Sequence, residues 1–194
     1  MEISSVQLKE LRDKTGISVM QCKKALEEAG GDMEKAIIIL KKKRSDAADK
    51  KSDREIGAGA VGSYIHNTNE VASLVLLGCE TDFVSKNPEF ITLAKDIAMQ
   101  VAATNPSFIK REDVPEEAIQ KAKELFQKEV ADKPAEMQEK ILEGKLAAYF
   151  KDQILLDQDF IKNPDSTIAE MVTGAIQKFG ENVQVVNMSR LSVK

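Results

Sequence analysis

The chain has no tryptophan, two tyrosines and seven phenylalanines, so aromatic residues make up only 5% of its 194 residues. Few rings are available to stack on bases or sugars. There is one histidine, His66, and there are two cysteines, Cys22 and Cys79. A structural zinc site wants four Cys or His ligands, which these side chains cannot complete. A disulfide framework would need more cysteines in a chain of this size. The longest apolar runs, such as Ala36 to Leu40 and Val71 to Leu77, fall far short of a membrane span. Met1-Glu2-Ile3-Ser4-Ser5 lacks the basic stretch and apolar run of a signal peptide. Walker, nucleophile-elbow and metalloprotease-helix sequences are absent. These absences predict a soluble, cytoplasmic protein with reduced thiols, no metal, no cofactor and no catalytic group.

What is present is charge and apolar patterning. Charged residues make up 31% and apolar residues 42%, enough for a packed core. Lys plus Arg number 28 and Asp plus Glu 32, a net charge of −4. A chain that binds by neutralising phosphates carries the opposite balance, so neither nucleic acid nor membrane is the expected partner.

Capping signals divide the first part of the chain. Ser4 with Gln7, and Ser18 with Gln21, fit the S-x-x-Q capping box, and Asp32 is a good N-cap. Thr15-Gly16 and Gly30-Gly31 are stops. Three short helices are predicted over residues 1–44. Residues 45–55 show no apolar periodicity and read as a charged linker. The run Lys41-Lys42-Lys43-Arg44 is either a helix end with cations suited to its dipole or, more pointedly, an RNA contact interrupted by Asp46, Asp49 and Asp53.

Residues 56–194 form the expected core. A hairpin is predicted over 58–79, its strands running from Ala58 to Ile65 and from Glu70 to Cys79 about the polar His66-Asn67-Thr68-Asn69. The near-continuous apolar run of the second strand suggests a central place in the sheet. Asn87-Pro88 opens a helix over 88–103, whose apolar residues from Phe90 to Val101 form a wide stripe. Residues 115–157 read as helical, with helices at 115–131 and 134–149 divided by Pro134 and Gly144, then a short helix from Lys151 to Asp157. Asp165 or Ser166 is expected to cap a helix over 167–179. A closing strand over 182–193 places Val183, Val185, Leu191 and Val193 at one parity. The fold class is α+β: three N-terminal helices, then a small three-stranded antiparallel sheet packed with helices and a helical hairpin.

Gly57-Ala58-Gly59-Ala60-Val61-Gly62 matches G-x-G-x-x-G, but a dinucleotide site needs a strand before the glycines and a helix after them. Here a charged stretch precedes and a strand follows, so the glycines are read as serving a twisted or bulged strand, or close backbone approach. His66 is read as an exposed turn residue, and Cys22 and Cys79 as small buried hydrophobes. The segment Glu80-Thr81-Asp82-Phe83-Val84-Ser85-Lys86 has two readings. Asp82 caps a turn while Phe83 and Val84 fold into the core, or Asp82 and Phe83 project together from a rigid strand end as a wedge for a partner.

Cys79-Glu80-Thr81-Asp82-Phe83-Val84-Ser85-Lys86 closely resembles the loop motif of the bacterial elongation factor Ts family. Leu11-Arg12-Asp13-Lys14-Thr15-Gly16, with Cys22-Lys23-Lys24-Ala25-Leu26 and Gly31-Asp32, independently resembles that family's N-terminal helical domain, which is UBA-like. Gly180-Glu181-Asn182-Val183 resembles the turn before its closing strand. Leu76 stands where the family usually has an acidic residue, Gly78 where it has asparagine, and Gln21 where aspartate is common.

The resemblance implies a guanine nucleotide exchange factor, not an enzyme, that releases GDP from the GTPase elongation factor Tu. The exchange loop would be Thr81, Asp82, Phe83 and Val84, with Asp82 and Phe83 wedged near the GTPase's magnesium and nucleotide. Arg12, Val19, Met20 and Lys23 would contact the same partner. Long members carry two related sheet subdomains and short ones resemble homodimers, so a symmetric dimer and a two-to-two complex are expected. The alternative is a helical protein- or RNA-interaction adaptor built on the N-terminal helices and the basic run.

Overall fold

The computed structural model describes residues 3–130 and 134–193. The outer bounds expected for the two units, residues 1 and 194, and the expected helix end at residue 131 lie outside these. The architecture is α+β.

Helix α1 (Ser5–Thr15) starts at a complete capping box: Ser4 Oγ accepts from Gln7 N at 3.2 Å, and Ser4 N donates to Gln7 Oε1 at 3.3 Å. Gly16, at φ 66, turns the chain out of it. Helix α2 (Val19–Glu28) is capped by Ser18, but Gln21 does not close the expected box. Its side-chain oxygen instead accepts from Gln177 Nε2 at 2.9 Å, a contact 156 residues away in sequence. Leu11, Ile17, Cys22, Ala25, Leu26, Ala36 and Leu40 form the small core of this unit.

Helix α3 (Met33–Asp49) corrects the expected linker, because residues 45–49 continue it. Its buried stripe runs Ala36, Leu40, Ala48 at multiples of four, and the half-buried Arg44 fills the remaining place. A cation in that place hides the helical period from a hydropathy reading. Ala48 reaches the cluster of the second unit.

Strands β1 (Ala58–Ile65) and β2 (Val71–Cys79) form the hairpin, and β5 (Val183–Ser192) lies on the far side of β2. All pairs are antiparallel and β2 is central. The register slips between Leu76 and Leu77: Leu77 faces Val185 while Leu76 faces Asn187. This bulge at Val186 overturns the single parity expected for β5. Val183 and Val185 point into the core, whereas Leu191 and Val193 are each 72% exposed.

One face of the sheet is covered by α5 (Pro88–Thr104), capped by Asn87 Oδ1 accepting from Glu89 N at 2.9 Å. Phe90, Ala94, Ile97, Ala98 and Val101 pack there against Val75, Leu77 and Cys79. At Gly62 the strand lies on the helix so closely that a Cβ would sit 2.1 Å from the Ala94 carbonyl oxygen. Glycine is required there by contact, as read for the G-x-G-x-x-G run. The opposite face presents Val61, Ile65, Leu74, Leu76, Val186 and Leu191 as exposed side chains.

After the short helix α4 (Asp82–Ser85) and α5, α6 (Glu116–Val130) and α7 (Ala135–Lys151) form the antiparallel hairpin. Lys145 pairs with Glu129 at 2.5 Å, and Phe126 meets Tyr149 edge-on with centroids 5.5 Å apart. Gly144 lies inside α7 and does not divide it. The helix expected over 151–157 shrinks to a single 3-10 turn, Leu155–Asp157. An unforeseen small hairpin follows, β3 (Asp159–Phe160) with β4 (Asn163–Thr167). Helix α8 (Ile168–Phe179) is capped by Thr167, not by Asp165 or Ser166: Thr167 Oγ1 accepts from Glu170 N and Thr167 N donates to Glu170 Oε2, both at 3.2 Å. Gly180, at φ 76, ends it.

Candidate partner-binding surface

The segment after β2 is a single helical turn, α4, and not an irregular loop. Its two apolar residues divide: of the two expected in the exchange loop, Val84 folds into the core and Phe83 does not. Val84 is 3% exposed and belongs to the sheet-helix core, while Phe83 is 83% exposed. Asp82 opens the turn at the surface, and its Oδ2 accepts from Lys86 Nζ at 2.7 Å. That hydrogen bond and the charge of Lys86 hold the Asp82 carboxyl below the usual aspartate range, so it is ionised at neutral pH. An anion and an aromatic ring thus occupy consecutive positions on a turn pinned underneath by Val84.

Thr81 occupies the N-cap position of α4, yet its hydroxyl does not cap that helix. Thr81 Oγ1 donates to Glu181 Oε1 at 2.5 Å, while Thr81 N and Glu80 N donate to Glu181 Oε2 at 3.0 and 3.1 Å. The Thr81 carbonyl accepts from Cys79 Sγ at 3.2 Å and from Ser85 N at 3.2 Å. Burial first, and then the negative charge of Glu181, push the Cys79 thiol up, which keeps it protonated as a donor. The backbone that carries Asp82 is therefore fixed on several sides.

Glu80 completes the arrangement. Its Oε1 accepts from Asn182 N at 2.6 Å and from Arg54 Nη1 at 3.3 Å. Asn182 Nδ2 in turn donates to the carbonyls of Ser52 and Arg54 at 3.2 and 2.8 Å. The end of β2, the start of β5 and the turn after α3 are tied at one corner. Sequence reasoning marked Gly180-Glu181-Asn182 as a motif but did not find this role, because the partners lie about 100 residues apart. The available signal was a pair of acids at two strand ends.

The second group of sequence-predicted residues lies on the N-terminal helices. Val19 and Met20, at the start of α2, are 44% and 69% exposed and lie outside the small core of this unit. Arg12 is exposed near the end of α1. Lys23 is exposed one turn after Val19 and faces Glu27 at 3.9 Å. Arg12 also lines a groove of about 1000 Å³ between these helices and α8. Arg44 bridges the groove floor, donating to the Thr15 carbonyl at 3.1 Å and to Gln177 Oε1 at 3.3 Å.

Among the described residues no group of three His, Cys, Asp or Glu side chains is placed to hold a metal, and no helix is long and apolar enough to cross a membrane. The fold and the surface define a class: a small α+β protein that presents an anchored acidic-aromatic turn and, on its N-terminal helices, an exposed face. A family model described as "Elongation factor TS" matches residues 47–194. The chain is 49% identical over 194 residues to elongation factor Ts of Thermodesulfovibrio yellowstonii, spanning 100% of this chain and 97% of that one. It is 48% identical over 193 residues to that of Carboxydothermus hydrogenoformans (98% of this chain, 89% of that one). To that of Thermosipho melanesiensis it is 46% identical over 193 residues, with 98% of each chain covered. The chain belongs to the elongation factor Ts family, whose role lies in translation elongation.

Proposed function

We propose that this protein is a cytoplasmic guanine nucleotide exchange factor that releases GDP from elongation factor Tu by inserting Asp82 and Phe83 beside the GTPase's magnesium and nucleotide. The observation that carries the reading is the exposure of Phe83 on a turn whose next residue is buried. A free aromatic ring on a mobile loop would lose conformational freedom on docking; this one is ordered beforehand. Burying a phenylalanine side chain contributes roughly 1.5–3 kcal/mol. Asp82, ionised, supplies hydrogen-bond acceptors. A wedge of this kind displaces partner groups that hold magnesium and phosphate, and needs no acid or base of its own. In this reading the protein is no enzyme and carries no cofactor.

Weakening of GDP binding is reciprocal: bound GDP weakens the exchange factor by the same factor. A shift of about 10⁴-fold needs roughly 5.5 kcal/mol of differential affinity. Phe83 and Asp82 fall short of that plus stable docking, so further contacts anchor the complex. The exposed Val19 and Met20, flanked by Arg12 and Lys23, fit that role. Residues 1–44 then act as a docking unit and residues 56–194 as the core, joined through the end of α3, which runs to Asp49, and residues 50–55.

The bare apolar face of the sheet supports the homodimer. Leu74 and Leu76 at its centre, with Val61, Ile65, Val186 and Leu191 around them, are exposed in a single chain. A second copy of the same sheet would cover them, giving a two-to-two complex with the GTPase.

The RNA-adaptor alternative has less to stand on. Lys41, Lys43 and Arg44 of the basic run are engaged with Glu170, Glu28 and the Thr15 carbonyl within the chain. The deciding test is release of fluorescent GDP from elongation factor Tu on adding this protein. Unaccelerated release would sink the exchange reading.

A further inference from the structure

The exchange loop is held from behind by a residue that no motif of the loop contains. A threonine at the N-cap normally turns its hydroxyl onto the helix it starts. Thr81 turns it away, to Glu181 at 2.5 Å. The same carboxylate takes the amides of Glu80 and Thr81 at 3.1 and 3.0 Å. Three donors on two consecutive residues thus converge on one anion immediately before Asp82 and Phe83. Glu181 itself is fixed in direction, since it follows Gly180, at φ 76, where α8 gives way to β5.

We infer that Glu181 is a positioning residue for nucleotide release: it sets the angle at which Asp82 and Phe83 leave the sheet. The inference rests on the exchange reading of that loop. A carboxylate has two acceptor oxygens with lone pairs for three donors, whereas a glutamine amide has one oxygen, and its NH₂ would face donors. Without Glu181 the buried Cys79 at the end of β2 and the buried Val84 in α4 still hold the polypeptide in place. What is lost is the orientation of the Thr81 peptide and so of the turn that follows. A small misplacement of a reacting or wedging group lowers rate far more than it lowers binding.

The test uses the full chain and elongation factor Tu loaded with fluorescent GDP. Release is followed against concentration of the exchange factor to separate the maximal rate from the half-saturating concentration. Glu181→Gln is expected to lower the maximal rate about ten-fold while the half-saturating concentration stays within about two-fold. Thr81→Val is expected to do the same, and Thr81→Ser, which keeps the hydroxyl, to restore the rate. On a Phe83→Ala background Glu181→Gln is expected to add less than about two-fold, since there is then no ring to aim. A full maximal rate for Glu181→Gln, or a loss that repeats undiminished on the Phe83→Ala background, would overturn the inference. Should Glu181→Gln not fold, the Thr81→Val and Thr81→Ser pair decides by the same rates. An inactive parent protein would sink the exchange reading, and this inference with it. An active parent, a slow Phe83→Ala variant and a fully active Glu181→Gln variant would sink this inference alone.

Discussion

The carboxylates of Glu80 and Glu181 hold each other's neighbourhoods: Glu181 accepts the main-chain amide of Glu80, and Glu80 accepts the main-chain amide of Asn182, next to Glu181. The exchange is reciprocal, so each side chain ties down the backbone beside the other. Two acids share a corner because amides, Thr81 and Arg54 supply the donors between them. The arrangement has a pH signature. The Asn182 amide, and then Arg54, hold the Glu80 carboxyl below its usual value of 4.5. A depressed carboxylate stabilises the fold fully above that usual value, and the contribution is lost as pH falls below it through the depressed one. Stability measured by denaturant unfolding should therefore fall on that acid limb, and Glu80→Gln should be less stable at neutral pH with a shallower acid limb. A variant with an unchanged acid limb would remove Glu80 as its source.

Phe83→Ala should leave the melting temperature of the protein within a degree or two, because the ring is exposed and contributes little to the fold. Stimulated GDP release should nonetheless fall by at least about ten-fold. Val84→Ala reverses the pattern of cause: it removes a buried side chain and should lower the melting temperature first. Thermal unfolding beside stopped-flow release distinguishes the two.

Two glycine-to-alanine changes should have opposite signs. At Gly62 an added Cβ meets the Ala94 backbone at 2.1 Å, and neither strand nor helix can yield cheaply. Gly62→Ala should destabilise by about 3 kcal/mol or prevent folding. At Gly144, inside α7 with nothing within 4 Å of a Cβ, alanine should stabilise by about 0.5–1 kcal/mol. Chemical denaturation gives both values.

Leu74→Glu tests the dimer. The side chain is exposed in one chain, on the face away from α5, so the monomer should fold as before. Sedimentation at micromolar concentration should move from a dimer for the parent toward 21.4 kDa for the variant. A monomeric parent would remove the proposed assembly.

Met20→Ala, on the start of α2, should raise the concentration of the protein needed for half-maximal GDP release several-fold and spare the maximal rate. A change in the maximal rate alone would mean that the N-terminal helices do more than dock.

Much of this molecule was legible in its sequence wherever a side-chain pattern acts locally. The capping box of Ser4, the Asn87-Pro88 start and the apolar run of β2 each led to the right element. The reading failed where a distant partner decides. Val186 looks like any strand residue, yet the bulge there turns Leu191 and Val193 from the core to the surface. Arg44 reads as solvated charge, yet it fills the buried stripe of α3. Gln21 reads as half of a capping box, yet it is spoken for by Gln177. At the candidate surface, the motif pointed to Asp82 and Phe83, but not to the division between Phe83 and Val84. That division is decided by which side of the short turn packs on the sheet-helix core, where Val84 lies.

Helix α3 has a consequence for how two contacts cooperate. It is continuous for 17 residues, about 25 Å, with Ala36 and Leu40 among the N-terminal helices and Ala48 in the sheet's cluster. A coil of the same length would let the N-terminal helices wander, and the second contact would be diluted over the volume they sweep. A strut holds both contacts at a set span. In the proposed complex, a partner gripping Met20 would meet Phe83 at a local concentration fixed by the length of a helix and independent of how much protein is in solution.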